Sequence, residues 1–143
     1  MSSVQIKNNL KAARESIAKK DYEKALELAK KVLSFEPGNY NAHVFAGVSL
    51  LNLSRYAESE KSYREAISLS DTNPLAWQGL MNLFEKQANL QGLKEATLAL
   101  AELYSQRWLC GIMTNSSNDE EKCFGVIDKY VNVVKLKGTP AQV

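Results

Sequence analysis

The chain has 143 residues, 45% of them apolar and 24% charged, and carries a net charge of +2. That length allows one domain with a core able to stand alone. The charge is too small, and too evenly mixed in runs such as Lys19-Lys20-Asp21-Tyr22-Glu23-Lys24, to argue for nucleic acid or an anionic membrane as partner.

Taken in chain order, apolar residues three and four apart predict helices over 4–19, 22–35, 40–53, 56–69, 73–87 and 92–106. Only three prolines and seven glycines interrupt the chain, and the strongest stops are Pro37-Gly38 and Asp71-Thr72-Asn73-Pro74. After Tyr104 the character changes. Thr114-Asn115-Ser116-Ser117-Asn118 reads as a loop, so 107–118 is expected to be a linker. A last helix is expected over about 119–136, with Asp119, Glu120 and Glu121 in its first turn and Lys135 and Lys137 at its end, as the helix dipole favours. Cys123, Phe124, Ile127, Tyr130, Val131 and Val134 give this helix one apolar face. That face caps the third repeat, belongs to a fourth, or occupies a groove, and 119–143 is assigned to a C-terminal capping helix and tail.

Sliding the sequence against itself by 34 residues brings Tyr22 onto Tyr56, Asn39 onto Asn73, Ala42 onto Ala76 and His43 onto Trp77. This is the period of the tetratricopeptide helix–turn–helix repeat. Repeats are placed at 6–39, 40–73 and 74–106, making residues 1–106 an all-α, right-handed α-solenoid of about three units followed by a C-terminal amphipathic helix. Small residues at Ala13, Gly47, Ala25 and Ser59 let paired helices approach closely. In the third repeat Trp77, Leu80 and Phe84 keep the spacing. Leu93, Ala96, Leu100 and Leu103 suggest a second helix that restarts late, after about three extra residues in the turn.

Arrays of this family bind protein segments on the concave face formed by the first helix of each repeat. Projected here, that face takes Lys7, Leu10, Arg14 and Ile17, then Asn41, Val44, Val48 and Leu51, then Leu75, Gln78, Asn82 and Glu85. Leu10, Arg14, Asn41, Val44, Val48, Leu51, Leu75, Gln78 and Asn82 are its expected partner-binding residues. Chaperone-associated members grip a terminal carboxylate with lysine, arginine and asparagine. The matching positions here are Leu10, Arg14, Phe45, Leu75 and Gly79, of which only Arg14 can serve.

No catalytic, metal or cofactor role is expected. His43 stands at the repeat's large aromatic position and reads as a packing residue, and neither a phosphate-binding glycine loop nor paired carboxylates occur. Cys110 and Cys123 fit neither a zinc site nor a disulfide framework. Met1 to Lys7 lacks the apolar core of a signal peptide, and no window approaches the roughly 18 apolar residues of a membrane span. A cytoplasmic location is expected, with the nucleus as the alternative.

Several stretches resemble one family more closely. Leu10-Lys11-Ala12-Ala13-Arg14 after Met1-Ser2-Ser3, Tyr40-Asn41-Ala42-His43-Val44-Phe45-Ala46-Gly47-Val48 and Ala76-Trp77-Gln78-Gly79-Leu80, followed by Leu83-Phe84-Glu85-Lys86, are similar to the N-terminal region of the tetratricopeptide-repeat scaffold of the superkiller complex. The resemblance covers about residues 1–104 and implies a non-catalytic scaffold. It would join an RNA helicase and WD-repeat subunits, and reach exosome-side factors in cytoplasmic 3′-to-5′ messenger RNA decay. Members of that family have many more repeats than this chain can hold. The alternatives are a free-standing adaptor or cochaperone with an unrelated protein partner, and a direct RNA-binding module. Against the last stands the weak net charge.

Overall fold

A computed structural model of the chain describes residues 2–112, with side chains as far as Gln106, together with residues 125, 127 and 128. Six helices and no strand occur among the described residues: α1 Ser3–Ala18, α2 Tyr22–Phe35, α3 Tyr40–Asn52, α4 Tyr56–Leu69, α5 Pro74–Lys86 and α6 Leu90–Ile112. The all-α helical-repeat class is as expected, and α1 to α5 each begin and end within a residue of the expected bounds. Residues 125, 127 and 128 are helical and exposed. The remainder of the expected final helix, with Cys123, Phe124, Tyr130, Val131 and Val134, lies outside the described residues.

Most of the helices begin where a side chain can satisfy the free N–H groups of the first turn. Ser2 and Gln5 form a reciprocal capping box at α1, with bonds of 3.0 and 3.3 Å. Asp21 accepts from Lys24 N–H at 3.3 Å, Asn39 from Ala42 N–H at 3.0 Å, and Asn89 from Gly92 N–H at 3.1 Å. At α4 the position falls to Arg55, which makes no cap and instead pairs with Glu58 at 2.7 Å.

The turn inside each hairpin is the same three times. Lys20, Ser54 and Ala88 have φ of 63°, 62° and 53° and stand 34 residues apart. At each, the left-handed residue donates its N–H to a carbonyl three residues back. The following N–H reaches one five residues back: Asp21 to Ser16, Arg55 to Leu50 and Asn89 to Phe84. This double closure ends the first helix and launches the second. It corrects two expectations. The third turn holds no extra residues, because α6 begins at Leu90, and α6 then runs to Ile112, into the stretch read as a linker from 107.

The chain divides into two compact units, Met1–Gly79 and Leu80–Val143. In the first, α1 packs on α2 and α3, α2 on α3, and α3 on α4. Leu26, Ala29, Ala46 and Leu50 form one core cluster, with Phe45 and Leu53 against it. Ile6, Val32 and Ala42 form another, joined by Leu10 and Leu33. Tyr63 of α4 is 1% exposed, with its ring against both Gly47 and Gly79. A Cβ on Gly47 would lie 2.7 Å from that ring, and one on Gly79 closer still. Beside it, Ser59 donates its hydroxyl to the Gly47 carbonyl at 2.7 Å. The small residue at 59 therefore supplies a bond between helices as well as room.

In the second unit Leu80, Leu83 and Phe84 of α5 and Leu93, Ala96, Leu100 and Tyr104 of α6 are buried. The Phe84 ring lies on Gly92, where a Cβ would come to 2.7 Å. Thr97 is buried too, and its hydroxyl has no hydrogen-bond partner among the described residues.

Candidate protein-interaction surface

The starts of α3 and α5 are tied together. The Tyr40 hydroxyl, at the head of α3, donates to the Asn73 carbonyl at 3.3 Å and accepts the Ala76 N–H at 3.1 Å. Asn73 in turn accepts the Leu75 N–H on its side chain at 3.1 Å. Two N–H groups that the first turn of α5 leaves free are thereby satisfied. Burial raises the Tyr40 phenol above its ordinary pKa, against the opposing pull of the Ala76 N–H. His43 is half-buried and its Nε2–H donates to the Pro37 carbonyl at 2.8 Å, tying α3 to the loop before it. It is thus a structural residue with a polar bond, which the expectation of simple packing did not include.

The residues projected onto the concave face separate into two sets. Arg14 and Asn41 are exposed, and Leu75 is 48% exposed. Leu10, Val48 and Gln78 are half-buried, Leu10 against the Ile6, Val32 and Ala42 cluster. Val44 and Leu51 are 6% and 5% exposed, so they belong to the core and offer a partner little surface. Asn82 is exposed in the second unit.

The accessible part of this face in the first unit changes character from helix to helix. Lys7 and Arg14 of this face are exposed on α1, with exposed Lys11 beside them at its edge, whereas α3 contains no Asp, Glu, Lys or Arg and Leu75 near the start of α5 is exposed. Where α3 turns Phe45 onto the core cluster of Leu26 and Ala29, α1 carries exposed Lys11 at the matching position. Among the described residues no group of three His, Cys, Asp or Glu could hold a metal, and no helix is long and apolar enough to cross a membrane. What the surface offers is shape, a few cations and a few half-covered apolar side chains, which suits a protein segment.

A tetratricopeptide-repeat family model matches residues 40–73, the stretch from α3 to the residue before α5. Superkiller protein 3 of Schizosaccharomyces pombe is 38% identical over 132 residues, covering 92% of this chain and 9% of the relative. Superkiller complex protein 3 of Homo sapiens is 35% identical over 146 residues, covering 96% of this chain and 9% of that protein. Superkiller protein 3 of Saccharomyces cerevisiae is 39% identical over 88 residues, covering 55% of this chain and 6% of the relative. The chain therefore spans less than a tenth of the length of these relatives. Among solved structures, a chain of a CopN–Scc3 complex superposes with a TM-score of 0.72 at 16% identity, covering 90% of this chain and 70% of that one, a likeness of fold. The chain carries tetratricopeptide-repeat sequence and is similar over more than nine-tenths of its length to two superkiller relatives, which supports a protein-interaction role.

Proposed function

We propose that this segment works within a superkiller-type assembly, as a non-catalytic arm that helps connect an RNA helicase and its WD-repeat partners to the exosome for cytoplasmic 3′-to-5′ messenger RNA decay. The observation that carries the reading is the 38% identity sustained over 92% of the chain, far more than a shared repeat pattern requires. The 16% identity to a solved chain of the same fold measures how little sequence the architecture itself demands. The working surface on this reading is the first-helix face of the first unit, with exposed Arg14, Asn41 and Leu75 and half-buried Leu10, Val48 and Gln78.

Affinity capture from a cytoplasmic extract, with the chain as bait and mass spectrometry as readout, tests the proposal. Recovery of superkiller or exosome subunits is the expected result. Recovery of chaperones, or of an unrelated set, overturns the assignment to RNA decay and leaves the repeat fold standing.

A further inference from the structure

The first-helix surface of the first unit is electrically lopsided. Lys7, Lys11 and Arg14 stand one turn apart along an exposed stripe of α1, and none has an ion-pair partner among the described residues. Their spacing of four and three residues keeps all three on one side of the helix. The sole acid of α1 is Glu15. The neighbouring α3, on which α1 packs, contributes no formal charge, only exposed Asn41 and half-buried Val48. Lys7, Asn41 and Leu75 hold the same position in successive first helices, as do Arg14 and Val48. A ligand crossing from α1 to the start of α5 thus meets cations first and apolar side chains afterwards.

From this gradient we infer that the surface receives an extended acidic segment of a partner protein, with two or more internal carboxylates over Lys7, Lys11 and Arg14 and an apolar side chain over Val48 and Leu75. Charge complementarity selects the acidic half and gives the segment its direction. The carboxylates are internal because a terminal one has little to hold it: three of the positions that would grip it are Phe45, Leu75 and Gly79. A nucleic acid would match the cations but gain nothing from Val48 and Leu75, which offer no aromatic platform for a base. The inference depends on the interaction-scaffold reading alone, not on membership of an RNA-decay assembly.

A random peptide library displayed on phage, selected against the whole chain at low salt, tests it while the partner is still unidentified. The expected consensus sets Asp or Glu beside an apolar residue. A synthetic peptide of that consensus should lose about ten-fold in affinity between low and physiological salt, as exposed charge pairs are screened. It should weaken by a similar factor on the triple variant Lys7→Glu, Lys11→Glu, Arg14→Glu, whose exposed positions leave the circular dichroism melt in place. Val48→Ser should weaken it less and without changing the salt slope. A selection that yields no acidic consensus, a peptide that binds the charge-reversed variant equally well, or displacement of the peptide by a uridine oligonucleotide that binds tighter would each overturn the proposal. Any of these can happen while extract capture still recovers superkiller subunits, so the two readings fail separately.

Discussion

The α3–α4 and α5–α6 hairpins solve one packing problem in opposite ways. In the first, the glycine sits on the leading helix and the ring on the following one, with Tyr63 lying on Gly47 and gripped from the next helix by Gly79. In the second, the ring is on the leading helix and the glycine on the following one, Phe84 on Gly92. Both hairpins close through the same left-handed turn, at Ser54 and at Ala88. The α1–α2 hairpin uses a third solution, with buried alanines at 13, 25 and 29. Close approach is therefore a property of the pair of helices. Which helix carries the small residue is free to change, provided a ring or a methyl fills the space opposite.

The sharpest way to break the comparison is to add a methyl group under each ring. Gly79→Ala should destabilise by about 3 kcal/mol, and Gly92→Ala by about 1–2 kcal/mol, because overpacking a rigid ring outweighs the gain of about 1 kcal/mol from replacing a helical glycine. Denaturant unfolding measures both. Tyr63→Leu introduced beside Gly79→Ala should recover part of the loss, while the same change beside Gly92→Ala should recover nothing. Simple additivity in both pairs would show that the rings do not rest on the glycines as described.

A second difference lies in the chemistry of the two rings. Burial pushes the Tyr63 phenol well above its ordinary value of 10.0, whereas Phe84 has nothing to ionise. In the unfolded chain the phenol ionises first, so its contribution to stability is complete below pH 10 and is lost as the pH rises beyond it. Tyr63→Phe should leave the melting temperature at pH 7 nearly unchanged and shift alkaline unfolding to higher pH. An unchanged alkaline transition would place its cause elsewhere.

The buried hydroxyls of the two hairpins should respond with opposite sign. Ser59→Ala removes a bond to the Gly47 carbonyl and should cost about 1 kcal/mol, whereas Thr97→Val removes a buried hydroxyl without a described partner and should gain about as much. The smallest effect belongs to what the hairpins share. Lys20→Gly, Ser54→Gly and Ala88→Gly should each stabilise by roughly 0.5–1 kcal/mol, since glycine adopts positive φ without the clash an L side chain meets. Three similar gains in thermal unfolding would confirm that the turns are equivalent.

Where the sequence is legible follows from the same contrast. The 34-residue period, Pro37-Gly38 and Asn73-Pro74 locate the ends of α1 to α5, because those residues act locally on the backbone. The phase of α6 is harder to read, because Ala96 also has the size of a contact residue while Gly92 holds that role one turn earlier. No side chain at Ala88 announces a left-handed turn. The far end of α6 escapes the sequence because little between Tyr104 and Ile112 stops a helix, and a change of character is a weaker signal than a proline. On the candidate surface, the exposure of Arg14 and Asn41 follows from helical projection, but the burial of Val44 and Leu51 does not. α3, which has no Asp, Glu, Lys or Arg, has no charged stripe to say which side faces water.

Tyr40 has a mechanical consequence. Arrays of stacked hairpins, each touching only its neighbours, can peel apart one unit at a time. Here one phenol oxygen is bonded to two points of the following helix start, a carbonyl and an N–H three residues apart. Tension drawn through the α4–α5 connection is therefore passed sideways into α3 before α5 can unwind from its tip. A partner tugging on this part of the chain would load α3 and the head of α5 as one element.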